Sequence, residues 1–286
     1  MACAVVRSFA AANIPLVVHR ERQAKERTLL ADRWLHCGNL RYHYRIAAPT
    51  GGEGTPLVLV HGLGVSGAYW RRVQPLLAAR RPVYAVDLPG FGRTTHPRTI
   101  LDTGGQAWAL ADWLAALGLP RAHLMGHSAG GQIVAAFAAA YPERVARLVL
   151  VASTIGRESP QFLPHLPKLL HDLLREKPSL LPVLIADGLR AGPWHILRTD
   201  MAITRDDTLA TVARVTAPLL VIRGTRDTIV SDRETQQLRR AAPHASYVAI
   251  PRAPHVVQWS HPHAVAAAVN AFLDDADAPV TALAGR

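Results

Sequence analysis

Residues 123–145 read HLMGHSAGGQIVAAFAAAYPERV. A short apolar run meets Gly126-His127-Ser128-Ala129-Gly130, and a long Ala-rich stretch follows with no breaker before Pro142. The rhythm predicts a strand, a sharp turn and a helix. In a G-x-S-x-G turn of this kind the serine sits on strained backbone with its hydroxyl exposed, and small neighbours are needed because other chain segments pack against it. Ser128 would then open a helix, whose N-terminal dipole favours developing negative charge. The plain alternative is an ordinary turn.

The same alternation extends in both directions. Continuous apolar runs recur at 57–60 (LVLV), 83–86 (VYAV), 148–153 (LVLVAS), 219–222 (LLVI) and 247–250 (YVAI), with helical stretches such as 106–118 between them. Short runs without polar alternation indicate strands buried on both faces, hence a mostly parallel twisted sheet with helices on both sides. Residues 28–48 differ. They alternate polar and apolar around Gly38-Asn39, which predicts an antiparallel hairpin at one edge of the sheet. In open parallel sheets, sites gather at the carboxyl ends of the strands. His61, Asp87, Ser128, Ser153, Thr154, Asp227 and His255 stand there.

A serine hydroxyl needs a base, and the base needs an orienting acid. Asp227 in GTRDTIVS follows the run at 219–222, and His255 in PRAPHVV follows the run at 247–250. His244 precedes its strand, while His261 and His263 flank Pro262 at the start of the last helix. Asp206 and Asp207 fall in or near an inserted segment, and Asp232 reads as a helix cap. Asp227 and His255 are therefore the candidates.

Gly62-Leu63-Gly64 follows the first parallel strand, where close-passing backbone would let the Leu63 N–H converge with the Ala129 N–H on an oxyanion. A rival reading uses the same residues. Gly62 to Gly67 also spells G-x-G-x-x-G, and Asp87 lies where a dinucleotide-binding domain places its ribose acid. That reading leaves His61, the serine turn and the Asp/His pair unexplained.

Taken together, HGLG, DLPGFGRT, GHSAGG, GTRD and APH resemble the α/β-hydrolase superfamily, and most nearly its lidded serine esterases, over about residues 30 to 274. The resemblance implies Ser128 as nucleophile, Asp227 as acid, His255 as base, Leu63 and Ala129 as oxyanion donors, and no metal or organic cofactor. A serine at position 128 argues against the epoxide hydrolases and haloalkane dehalogenases of the superfamily, which carry Asp there. One departure is visible: Ser260 stands where relatives often carry an acidic residue, two positions before Pro262.

The implied activity is cleavage of a small, hydrophobic carboxylic ester through an acyl-enzyme. Hydrolysis of C–C bonds, thioesters or lactones, and perhydrolysis, use the same triad, and a ligand-binding scaffold is the non-enzymatic alternative. The Leu- and Pro-rich segment 158–213 exceeds what one covering helix needs and reads as a helical lid, with Pro punctuating its pieces. Trp194, Met201 and Trp259 are the candidate pocket walls. The core is then 28–157 and 214–274, with an N-terminal arm at 1–27 and a tail at 275–286.

The 286 residues are 49% hydrophobic, which suits one large core and excludes a disordered chain. Cys3 and Cys37 are the only cysteines, and no zinc spacing occurs. The net charge is +11, carried almost wholly by arginines scattered along the chain rather than gathered in a nucleic-acid-binding stripe. The partner expected is a small molecule, without nucleic acid. No run of 18 apolar residues spans a membrane. Arg7 and Pro15 interrupt the apolar start, so a cytoplasmic location is expected, with export as the alternative.

Overall fold

The structure is a computed structural model, and it describes residues 29–48, 54–156, 162–242 and 245–277. The N-terminal arm, His244 and most of the tail lie outside the described residues.

Eight strands form one sheet in the order β1-β2-β4-β3-β5-β6-β7-β8. They are β1 Leu29–Cys37, β2 Leu40–Ala48, β3 Leu57–Val60, β4 Val83–Val86, β5 Ala122–His127, β6 Val145–Val151, β7 Leu219–Gly224 and β8 Ser246–Ile250. From β4 onward every pairing is parallel, while β1–β2 and β2–β4 are antiparallel. The hairpin and the parallel sheet are both as the apolar runs predicted. Gly38 takes φ +55° at the first turn position, which a two-residue hairpin loop reserves for glycine.

Strands β3, β5 and β7 are buried at every residue, as helices on both faces require. The twofold alternation of side chains divides the core between those faces. Val58, Val60, Leu124, Leu148 and Leu150 pack on one side with Trp113, Ile133 and Phe137. Leu57, Leu59, Met125, Val149 and Val151 face Trp70, Val265, Val269 and Leu273 on the other.

The helices are α1 Gln74–Leu77, α2 Thr103–Ala116, α3 Ala129–Ala140, α4 Phe162–Leu173, α5 Leu181–Ala191, α6 Pro193–Ile203, α7 Thr208–Val212, α8 Asp232–Ala241, α9 Val257–Ser260 and α10 Pro262–Asp277. Helices α4 to α7 form an insertion between β6 and β7. Proline does not divide it as the sequence suggested at every point: Pro164 and Pro167 lie within the single helix α4. Pro182 and Pro193 do open α5 and α6, where a missing N–H costs nothing.

The cap of α8 is Ser231 rather than Asp232. The Ser231 hydroxyl accepts the Glu234 N–H while the Glu234 carboxylate returns to the Ser231 N–H, a reciprocal pair that Asp232, as the first helical residue, cannot make. Helix α10 continues three residues into the expected tail, to Asp277. Among the described residues no helix is long and apolar enough to cross a membrane.

Candidate active site

Ser128 occupies the turn between β5 and α3 with φ 54° and ψ −124°, backbone that non-glycine residues rarely adopt. The fold holds it there. Its N–H donates to the Val151 carbonyl at 3.0 Å, and its own carbonyl accepts the Gly131 N–H at 2.9 Å. Both flanking glycines are required. A Cβ on Gly126 would strike the Gly130 carbonyl, and one on Gly130 would strike the carbonyls of Val60 and His61.

At the carboxyl ends of β7 and β8 the other two residues meet. His255 Nδ1 and Asp227 Oδ2 are 2.9 Å apart. The second oxygen, Asp227 Oδ1, accepts the N–H groups of Ile229 at 2.8 Å and Val230 at 2.9 Å. Burial pushes the Asp227 carboxyl up, but the His255 imidazole and these N–H donors outweigh it, and its pKa lies below the ordinary carboxylate value. An ionised Asp227 can only accept, so His255 Nδ1 carries the proton and Nε2 is left as the basic nitrogen. For His255 itself, burial lowers the pKa. The charge and hydrogen bond of Asp227, with smaller contributions from Asp172 and Glu176, more than reverse this, and the net shift is upward.

Ser128, His255, Leu63 and Ala129 line one cavity of about 840 Å³. Asp227 stands behind His255, with its side chain closed to solvent. Ala129 is the first residue of α3, where a backbone N–H has no partner within the helix.

His61 governs the other candidate donor. Its Nε2 accepts the Leu88 N–H at 2.9 Å, so its Nδ1 carries the proton and donates to the Gly62 carbonyl at 2.7 Å. Burial keeps this imidazole neutral by lowering its pKa. In a trans peptide the N–H opposes the carbonyl, so fixing the Gly62 carbonyl also fixes the direction of the Leu63 N–H. The Tyr69 hydroxyl accepts the Gly62 N–H at 2.9 Å and holds the other side of that residue.

The dinucleotide reading fails on the same loop. Gly67 opens a single 3-10 turn, Gly67–Trp70, rather than a helix that could receive a pyrophosphate. Asp87, its supposed ribose acid, is already saturated by His43 Nδ1 at 2.8 Å and by the N–H groups of Gly67 and Arg93.

The three aromatic and thioether side chains suggested as pocket walls do not line the cavity. Trp259 is fully buried in the core, with its indole N–H on Ser179 and the guanidinium groups of Arg71 and Arg72 over its ring. Trp194 is 69% exposed and Met201 38%, both on the outer side of α6. The apolar wall is instead Leu63, Val65, Ile155, Leu180, Ile196 and Ile203.

Two acids of the insertion escaped the sequence reading. Asp172 and Glu176 line the cavity and are nearly closed to solvent. Burial raises the pKa of both, with neighbouring carboxylates adding to it, and Glu176 is pushed up to about 7. Their signal was faint: acids at the C-terminal end of a Leu-rich helix, where the helix dipole disfavours them. Ser260, at the position where an acid is often found, turns its hydroxyl to the carbonyls of Val256 and Val257.

Comparison with known proteins agrees with this fold. The α/β hydrolase fold family matches residues 55–187. A 2-hydroxy-6-oxononadienedioate/2-hydroxy-6-oxononatrienedioate hydrolase of Paraburkholderia phymatum is 33% identical over 258 residues, covering 78% of this chain and 87% of that protein. A pimeloyl-[acyl-carrier protein] methyl ester esterase of Aeromonas hydrophila is 41% identical over 103 residues, 36% of this chain and 39% of its own. Among solved structures, a membrane phospholipase A superposes with a TM-score of 0.72 at 28% identity, covering 86% of each chain. The chain belongs to the α/β hydrolase fold family, and it is a hydrolase.

Proposed function

We propose that this hydrolase cleaves the carboxylic ester of a small, hydrophobic substrate through an acyl-enzyme on Ser128, with α4 to α7 as the lid of its cavity. The observation that carries the reading is the placement of a strained Ser128 in the same cavity as His255, whose Nδ1 is tied to a buried, ionised Asp227. His255 Nε2 takes the Ser128 proton as the oxygen attacks the ester carbonyl. The carbonyl oxygen becomes an oxyanion that the Leu63 and Ala129 N–H groups receive, each donor worth about 10² to 10³ in rate. His255 then gives its proton to the leaving alcohol. Water, deprotonated by the same nitrogen, releases the acid from Ser128.

The cavity wall favours an apolar acyl group. Its charged residues include four carboxylates, Asp172, Glu176, Asp200 and Glu234, against Lys168 and Arg233. That balance suits a neutral ester better than a diacid. Similarity to the Paraburkholderia phymatum enzyme supports a second reading, hydrolysis of a 2-hydroxy-6-oxo dienoic acid by the same three residues.

The test is labelling with a fluorophosphonate, peptide mapping, and parallel assays with p-nitrophenyl butyrate and a 2-hydroxy-6-oxo dienoate. One adduct on Ser128, with butyrate cleavage lost in Ser128→Ala by roughly 10⁴ to 10⁶, is the expected result. Cleavage of the dienoate alone would favour the second reading. No adduct on folded protein would overturn both.

A further inference from the structure

We propose that the outer face of α4, α5 and α6 is a docking surface for an anionic lipid interface, seating apolar side chains among the acyl chains and basic ones at the headgroups. The proposal goes beyond the ester reading and does not depend on it.

Among the described residues, eight of the eleven large apolar side chains exposed to solvent lie on this insertion. They follow a pattern. Leu181, Ile185 and Leu189 repeat every four residues along α5, an apolar stripe about 12 Å long. The opposite side of the helix buries Val183, Asp187 and Ala191. Leu170 and Leu174, on and just beyond α4, and Trp194 on α6 are exposed as well, with Leu174 86% and Leu189 78% exposed. An apolar patch of this kind on a monomer marks an interaction site.

Charge identifies the occupant. Between Phe162 and Ile203 there are five basic side chains, all exposed: Lys168 stands at the cavity, and Arg175, Lys177, Arg190 and Arg198 lie outside it. The four acids of the same stretch face the other way. Asp172, Glu176 and Asp200 line the cavity, and Asp187 accepts a hydrogen bond from Ser66 at 2.7 Å. Arg190 reaches back to Asp187 at 3.1 Å but keeps half its side chain in solvent. The outer face therefore presents Leu, Ile, Trp, Lys and Arg with no exposed carboxylate among these elements. Apolar side chains interleaved with bases match the acyl boundary and headgroups of an anionic lipid layer. A second copy of the chain is a poorer fit, because it would set the same excess of bases against itself. On the same helices Leu184, Gly188 and Ile196 line the cavity, with Leu184 and Gly188 flanking the α5 stripe, so the surface borders the cavity.

The test is co-sedimentation of the full chain with phosphatidylglycerol or phosphatidylcholine vesicles at low and high salt. Two exposed double variants are compared, Ile185→Glu/Leu189→Glu and Arg175→Glu/Arg198→Glu, with unchanged thermal midpoints reporting intact folds. The expected result is binding to phosphatidylglycerol that salt weakens and that either variant reduces about tenfold or more. Binding unchanged by both variants, or equal for the two lipids, overturns the proposal. So does a dimer that binds no vesicles and dissociates in the Ile185→Glu/Leu189→Glu variant, which would assign the face to a second copy.

Discussion

The Asp172 carboxylate, carried by the inserted helix α4, accepts a hydrogen bond from the backbone N–H of His255 at 3.3 Å. The same oxygen takes the Thr228 hydroxyl at 3.2 Å, beside Asp227. Four residues on, Glu176 accepts the Val256 N–H at 2.6 Å. The insertion thus grips both loops that bear the proposed acid and base, and it does so with carboxylates. Three acids surround one imidazole, with the neutral ring of His127 at 4.7 Å on its other side. Position and protonation of His255 are linked to the insertion through the same two residues.

This linkage sets the pH dependence. With His255 as the proposed base, activity requires its neutral form, so kcat/KM should rise as pH passes upward through the imidazole pKa, which lies above its ordinary value of about 6.5. Asp172→Asn keeps the shape and removes a negative charge that favours the imidazolium. The acid limb of kcat/KM should therefore move to lower pH, while kcat on the plateau changes less than in Asp172→Ala. A limb that stays in place would show that Asp172 acts by packing alone.

Asp227→Asn tests the tautomer. The amide NH₂ would donate to His255 Nδ1 and leave the proton on Nε2, the nitrogen proposed to act as the base toward Ser128. Ester turnover near neutral pH should fall by about 10⁴ with the fold intact. A fall of only a few-fold would mean that another group holds the imidazole.

Much of this arrangement was legible in the chain, for definite reasons. Strands β3 and β4 coincide with their apolar runs, because a strand buried on both faces leaves no polar position to blur its ends. Ser128, Asp227 and His255 each follow such a strand. Helix α2 starts at Thr103, before the apolar stretch at 106, since Asp102 caps the weakly helical Gly104 and Gly105 through the Gly105 N–H at 2.7 Å.

The pocket was not legible. Trp259, four residues from His255, looked like a wall until α9 turned it into the core, and which face of α6 carries Trp194 depends on what the helix packs against. Asp172 and Glu176 have their backbone partners 83 and 80 residues away, beyond any local pattern.

The serine turn should tolerate no enlargement on its inner side. Gly130→Ala would drive a Cβ into the carbonyls of Val60 and His61, which belong to strand β3 and the loop after it and cannot swing aside like a side chain. The expected cost is about 3 kcal/mol or more, measured as a lower denaturation midpoint, or no folded protein at all. Gly118→Ala is the control. It has open space around its Cβ and strains only its own φ of +70°, so it should cost about 1 kcal/mol. Equal losses in the two variants would refute the close packing of Gly130.

His127 should make the protein acid-sensitive. It is fully buried against Tyr69, Trp70 and His255, and its Nε2–H donates to the His255 carbonyl at 3.1 Å. Burial, with repulsion from His255, depresses its pKa to about 3. The unfolded chain binds a proton there below about pH 6.5 and the folded chain does not, so this group removes stability as pH falls from 6.5 toward 3. Between pH 6.5 and 5 the loss is about 1.6 kcal/mol. Glu176 works in the opposite sense, since its raised pKa of about 7 costs stability as pH rises from about 4.5. The contribution of His127 is isolated by difference. Urea unfolding of the wild type and His127→Gln, repeated across pH 5 to 8, should show the wild type losing stability relative to the variant as pH falls below 6.5, whatever their gap at pH 8. Parallel curves would mean that His127 is protonated in the folded state, and would require a different electrostatic account of the His255 environment.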